Sequence, residues 1–175
     1  MSRSHPHDPG AADSRSAALC VLTVSDTRTR ENDASGAAAL RLLAAAGHRS
    51  LDYRIVPDEP ELVAQQVREW LALDACDGVI TSGGTGIAPR DRTFEALEAL
   101  LERQLPGFGE LFRMLSYAEI GSAAMLSRAV AGIAQGRPVF SLPGSTAAVE
   151  LALERLILPE LDHLLRQLGR PARRG

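Results

Sequence analysis

A glycine loop and two aspartates are where this sequence can do chemistry. Residues 78–95 open with the apolar run Gly78-Val79-Ile80, pass through Thr81-Ser82-Gly83-Gly84-Thr85-Gly86, and continue into Arg90-Asp91-Arg92-Thr93. That order reads as a buried strand delivering a flexible loop to a helix start. Gly83, Gly84 and Gly86 let the main chain turn several N–H groups toward one anion, and Ser82 and Thr85 add hydroxyl donors. Asp91 conflicts with an anion cradle unless a cation accompanies the phosphate; Mg²⁺ held between the carboxylate and phosphate oxygens resolves the conflict. The alternative is an ordinary helix N-cap. The second carboxylate, Asp58, lies in Val56-Pro57-Asp58-Glu59-Pro60, where the prolines keep it out of a helix interior and display it at a strand end. It equally suits a cap for the helix that follows. The loop is neither a P-loop, since no lysine follows the glycines, nor a dinucleotide fingerprint, since Gly84-Thr85-Gly86 lacks the third glycine.

The elements that must position these groups alternate between apolar strands and amphipathic helices. Strands are expected over 17–24, 51–56, 78–82 and 138–142, each followed by a polar or glycine-bearing loop. Asp58 and Asp91 then fall at the C-terminal ends of two strands, where open α/β sheets place their ligand crevice. Asp33 or Ser35 can cap a first helix that ends at Gly47, and residues 61–73 carry a helical stripe that includes Trp70, expected in the core. Further helices are expected after Thr93, from Phe108, and over 147–168, the last kinked by Pro159. Segment 123–134 is rich in small residues and packs closely on a neighbour or a ligand. Pro143-Gly144-Ser145 is a second strand-to-helix turn and a second anion site, while Arg28 and Arg30 either reach a phosphate or stand as solvated loop charges. The pattern predicts a three-layer α/β/α sandwich with a mainly parallel sheet.

At 175 residues the chain suits one domain, 17–168, with a polar N-terminal tail over 1–16 expected to be disordered and a basic C-terminal tail over 169–175 expected to be solvated. His5 and His7 in the N-terminal tail are read as bystanders. A formal net charge of −3 gives no general attraction for nucleic acid or an anionic membrane, so an anionic ligand must be held by local groups. The two cysteines, Cys20 and Cys76, lie inside apolar runs without metal-ligand spacing and are expected to be buried thiols. No secretion signal or membrane-length apolar run is present, which fits a cytoplasmic protein.

Ser82-Gly83-Gly84-Thr85-Gly86 with Arg90-Asp91 and Thr93 resembles the signature of the molybdenum-cofactor biosynthesis family whose members adenylylate molybdopterin. Thr23-Val24-Ser25-Asp26, Val56-Pro57-Asp58-Glu59, Gly107-Phe108-Gly109-Glu110, Met125-Leu126-Ser127-Arg128 and Leu142-Pro143-Gly144-Ser145 match like segments in the same order, over about 18–168. Phe112-Arg113-Met114-Leu115-Ser116-Tyr117 with Glu119-Ile120-Gly121 is most similar to the protein B branch. The resemblance implies the α/β/α fold, ATP as co-substrate and Mg²⁺ on Asp58 and Asp91. It further implies phosphate binding at Ser82, Gly83, Gly84, Thr85 and Gly86, and substrate contacts from Ser25, Asp26, Ser35, Gly36, Glu110, Ser127 and Arg128. Glu110 could instead complement a helix dipole, and Arg128 could pair with an acid; if Arg128 holds substrate, its removal weakens pterin binding with little change in melting temperature. A homotrimer or hexamer and a downstream molybdate-inserting protein are the implied partners. The alternative on the same scaffold is a non-catalytic molybdopterin carrier, against which the intact Pro57-Asp58-Glu59 speaks. The molybdate-inserting transferase itself needs further domains.

Overall fold

Strand β1 (Ala18–Val24) is apolar on both sides, and each face has its own helices to cover it. Leu19 and Val21 point into one core with Leu43, Val149 and Leu161; Cys20, Leu22 and Val24 point into the other with Val63, Val67 and Trp70. Period-2 alternation with both faces apolar is the pattern of a strand buried inside a parallel sheet. The computed structural model describes residues 16–87 and 91–170. After β1 come α1 (Ala34–Ala45), β2 (Arg49–Val56), α2 (Pro60–Leu71), β3 (Gly78–Ser82), α3 (Thr93–Glu98), β4 (Arg103–Gln104), α4 (Pro106–Ile120), β5 (Val130–Ala134), β6 (Arg137–Leu142), α5 (Thr146–Ala152) and α6 (Leu158–Gln167). The six strands run in the order β2-β1-β3-β6-β5-β4. β1 pairs in parallel with β2 and β3, and β3 with β6, while β5 is antiparallel to both β6 and β4. The result is a three-layer α/β/α sandwich with a mostly parallel sheet.

Residues of α1, α4, α5 and α6 join one core, and residues of α2 and α3 the other. The parallel strands β1, β2, β3 and β6 all end on one edge, so the loops after Val24, Val56, Ser82 and Leu142 become neighbours. Hydrogen bonds tie them: the Ser25 amide donates to Val56 O at 2.8 Å, and the Gly83 amide to Leu142 O at 3.0 Å.

Several expected boundaries move for physical reasons. Segment 123–134 contains a 3-10 turn over Gly121–Leu126 and then β5, whose short run Val130-Ala131-Gly132-Ile133-Ala134 pairs along β6 and is too small-residued to show as a strand. Gly132 is required there, because a Cβ would lie 2.5 Å from Arg103 O on β4. The last helix is three pieces: α5, a π turn over Leu153–Ile157, and α6 with Pro159 in its first turn. The wide turn precedes the proline and takes up the missing hydrogen bond. Arg170 is not solvated as expected of a basic tail: its guanidinium pairs with Asp77 at 3.1 Å and donates to Cys76 O at 2.8 Å, closing the sheet's opposite end. Arg173, Arg174, His5 and His7 lie outside the described residues. Trp70 is buried, its indole N–H donating to Asp52 Oδ2 at 3.0 Å. Cys20 and Cys76 are both fully buried. Among the described residues no helix is long and apolar enough to cross a membrane.

Candidate active site at the strand C-termini

The loop after β3 is shaped by what its glycines touch. Gly83 has φ +96, and a Cβ there would lie 2.2 Å from Val24 O; Gly84 has φ +65, and its Cβ would meet Thr93 Cγ2 at 2.7 Å and Asp58 Oδ1 at 3.1 Å. Both need the left-handed backbone and the space. Gly86 is constrained by space, its Cβ falling 2.1 Å from Asp91 Oδ2. The same near-contacts show that Asp58 and Asp91 flank one loop, each against a different glycine. Ala88, Pro89 and Arg90 lie outside the described residues.

Asp58 is not the cap of α2. That position falls to Glu59, which makes no side-chain cap bond, while Pro60 occupies the first turn. Asp58 instead accepts a hydrogen bond from Thr93 Oγ1 at 2.6 Å, and its amide donates to Asp26 Oδ1 at 2.9 Å. Asp26 therefore anchors the end of β2 to the loop after β1. Nor does Asp91 cap α3, whose N-cap is Arg92. Among the described residues no group of three or more His, Cys, Asp or Glu could hold a metal ion. A two-carboxylate set of hard oxygen donors suits Mg²⁺ completed by phosphate and water oxygens.

Gly144 packs backbone to backbone on this loop, its Cβ position 3.2 Å from Gly83 Cα. Pro143 leads into it, and Ser145 caps α5 by accepting from the Ala148 amide at 3.2 Å. Ser82 Oγ and Ser127 Oγ are buried without a hydrogen-bond partner among the described residues, so each retains a donor.

Five of the seven residues expected to contact substrate line two cavities. Glu110, Ser127 and Arg128 line one of about 340 Å³, together with Phe94 and Arg113. Ser25 and Asp26 line another of about 500 Å³, with Arg28, Arg30 and Arg54. Ser35 and Gly36 are buried at the start of α1, in a network centred on Asp33. Asp33 Oδ1 accepts from the Gly36 amide at 3.0 Å and from Ser35 Oγ at 2.8 Å, and Tyr53 Oη donates to Oδ2 at 2.6 Å. Arg28 pairs with Asp33 at 3.1 Å, contacts Ser35 Oγ, and donates to Gly144 O at 2.8 Å. The network thus joins the loops after β1 and β6.

Burial alone would push the Asp33 carboxyl up, but the Tyr53 hydroxyl, the Gly36 amide and the Ser35 hydroxyl that donate to it favour its charged form more and hold it at about 2. Burial and the same carboxylate push Tyr53 up to about 12. Because the folded value of Asp33 is depressed, its contribution is present above the ordinary carboxylate value and lost as pH falls toward 2. From that shift the contribution is about 2 kcal/mol, so the acid limb of a stability–pH curve should flatten in Asp33→Asn, which also loses stability at pH 7. Urea melts between pH 2 and 7 check this; an unchanged acid limb would contradict it.

Arg128 does more than line the cavity it shares with Glu110. Its Nε donates to Thr85 O at 3.1 Å, Nη2 to Gly86 O and to Asp91 O at 3.1 Å, and Nη1 pairs with Glu95, while the guanidinium lies 4.6 Å from the Phe94 ring centroid. One fork therefore clamps both sides of the glycine loop and also faces the Glu110 cavity. The expected near-neutral melting temperature of Arg128→Ala gives way to a different outcome. Several charge-assisted bonds are lost, a cost of about 2 kcal/mol and a fall of about 5 °C. Lysine, a single ammonium, should not rescue it. Calorimetry of the Ala and Lys variants measures this, and an unchanged melting temperature in both would show the clamp to be idle.

Sequence reasoning missed Tyr53, Phe94 and Arg113, while Asp33 is the α1 N-cap that the sequence offered. Asp33 was visible only as a cap, and the partners that make it a hub come from β2 and the loop after β1.

Glycine turns and carboxylates at the carboxyl edge of a mostly parallel sheet define an α/β protein whose candidate site lies where its strands end. Residues 20–163 match the family described as "Probable molybdopterin binding domain". The chain is 50% identical over 153 residues to "Molybdenum cofactor biosynthesis protein B" of Halalkalibacterium halodurans, covering 85% of this chain and 88% of that protein. It is 52% identical over 149 residues to the protein of the same name in Bacillus subtilis, with the same shares covered. A crystal structure titled "Molybdenum cofactor biosynthesis protein B" superposes with a TM-score of 0.87 at 49% identity, covering 90% of this chain and 98% of that one. A tungsten cofactor synthesizing protein, MoaB from Pyrococcus furiosus, gives 0.76 at 39% identity, covering 87% and 97%. The chain belongs to the molybdenum cofactor biosynthesis protein B family.

Proposed function

We propose that this protein acts in molybdenum cofactor biosynthesis by adenylylating molybdopterin. The terminal phosphate of molybdopterin attacks the α-phosphate of ATP; an O–P bond forms, the bond from Pα to the bridging oxygen breaks, and pyrophosphate leaves with that electron pair. The observation that carries this reading is the convergence of Asp58 and Asp91, from the ends of two strands, on the two sides of one glycine loop. Such chemistry needs positioning and charge neutralisation more than a protein nucleophile. Asp58 and Asp91 would hold Mg²⁺, which when bound neutralises charge on the reacting phosphate oxygens. Thr93 fixes Asp58, and Arg128 holds the loop carbonyls so that the amides of Gly84, Thr85 and Gly86 can face the phosphate. The cavity lined by Glu110, Ser127 and Arg128 would take the pterin. The test is whether ATP yields pyrophosphate only when molybdopterin and Mg²⁺ are both present. The molybdate-inserting protein is the proposed acceptor of the product.

The protein is also proposed to assemble as a trimer or a dimer of trimers. The apolar side chains the sequence offers for such a contact are Phe108, Phe112, Met114 and Tyr117; of these, Phe112 is buried and Phe108 packs on Phe140 at 5.6 Å, so both belong to the core. The exposed apolar stripe is Leu111, Met114, Tyr117 and Ile120, at a spacing of three along α4, and it continues into Met125, which is 79% exposed. A stripe of this kind on a surface helix marks an interface. Light scattering should give a trimer or hexamer, and Met114→Glu with Tyr117→Glu should dissociate it; a wild-type monomer at micromolar concentration would contradict the proposal.

A further inference from the structure

The cavity between the loop after β1 and the end of β2 presents three arginines, Arg28, Arg30 and Arg54, against one acid, Asp26. Arg28 is paired with Asp33 and Arg54 with Asp52, so what the cavity offers is an array of oriented guanidinium donors rather than a large excess of charge. Two of these cations are held in place from behind. Arg30 lies 5.0 Å over the Tyr53 ring and donates through Nη2 to Tyr53 O at 2.8 Å. Arg54 donates through Nε to Asp52 at 2.9 Å and through Nη1 to Gln66 at 2.8 Å. A guanidinium has five N–H donors, so each keeps donors for the cavity after these bonds. Ser25 Oγ accepts from the amides of Thr27 and Arg28, which leaves its own proton to donate. The cavity also adjoins the glycine loop: Pro57 lines it, and the next residue, Asp58, lies against Gly84.

We propose that this cavity is a diphosphate subsite, receiving the β- and γ-phosphates of the nucleotide and the pyrophosphate they become, while the glycine loop holds the α-phosphate. It rests on the adenylylation reading above. Fixed guanidinium forks match phosphate oxygens two at a time, and two forks on one wall match a diphosphate better than a single phosphate. Asp58 then stands between the α-phosphate and the leaving group. Ser25 and Asp26, placed with the pterin by the sequence, belong on this reading to the nucleotide side.

The test is calorimetric titration of the full-length protein with inorganic pyrophosphate in the presence of Mg²⁺, and in parallel with inorganic phosphate. Arg30 is exposed, so Arg30→Gln and Arg30→Glu leave the fold intact; Arg41→Gln, on the surface of α1 in a pair with Glu150, is the control for general charge. Wild type should bind pyrophosphate more tightly than phosphate, Arg30→Gln should weaken it about tenfold, Arg30→Glu should lose it, and Arg41→Gln should match wild type. Failure of wild type to bind pyrophosphate, equal binding by the Arg30 variants, or phosphate binding as tight as pyrophosphate would each overturn the subsite. The same wild-type protein is assayed for pyrophosphate release from ATP. Release without Arg30-sensitive binding removes the subsite and leaves the adenylylation reading; Arg30-sensitive binding without release does the reverse.

Discussion

Asp91→Asn is expected to lower turnover by on the order of 10²-fold while leaving the fold and pterin affinity nearly unchanged. Asparagine keeps the size of the side chain beside Gly86 but not its charge, so it tests electrostatics rather than packing. Asp58→Asn should behave alike. Its Oδ1 can still accept the Thr93 hydroxyl, which preserves the link from β2 to α3. The two losses should not multiply, because both carboxylates would hold one Mg²⁺, and groups acting as a unit are non-additive. Initial rates of pyrophosphate release for the two single variants and the double variant measure this. Full turnover in both singles would reduce the aspartates to structural roles, and a fully multiplicative double would place them on separate tasks.

Gly83→Ala is expected to be the most damaging single methyl in the site. It adds a Cβ 2.2 Å from Val24 O, at the end of a strand held on both sides, and it forces a non-glycine residue to φ +96. Overpacking and left-handed strain each cost roughly 1–3 kcal/mol, so a loss of about 3 kcal/mol and about 10 °C in melting temperature follows. Activity should fall further than stability, since the displaced loop carries the amides beside Asp58. Gly47→Ala is the control: φ is +79 but nothing lies within 4 Å of its Cβ position, so only the backbone strain remains. Thermal melts of the two variants side by side decide it, and equal losses would mean that the contact with Val24 relaxes freely.

The framework of this protein was legible because it is written locally. The apolar runs at β1, β3 and β6, the glycines that follow them and the proline-flanked Asp58 each announce a strand end, and parallel pairing brings those ends to one edge. What stayed hidden depends on pairs distant in sequence. β5 forms because it hydrogen-bonds along β6, and β4 because it hydrogen-bonds along β5, not because their residues favour strands. Asp33 reads as a helix cap until Tyr53 and Arg28 converge on it. Arg128 offered two sequence readings, substrate or acid partner; the structure gives it Glu95 and, in addition, three loop carbonyls that no spacing rule could reveal. Likewise, Phe108 and Phe112 look like surface surplus on a helix whose outward stripe is in fact Leu111, Met114, Tyr117 and Ile120, one residue out of phase.

The most direct test of the account combines two readings on one wild-type preparation: pyrophosphate released from ATP plus molybdopterin as Mg²⁺ is varied, and molybdopterin binding titrated without ATP. The expected result is release that requires molybdopterin and saturates with Mg²⁺, alongside pterin binding that needs neither ATP nor metal. Pterin binding with no pyrophosphate at any Mg²⁺ concentration would contradict it and make the protein a carrier.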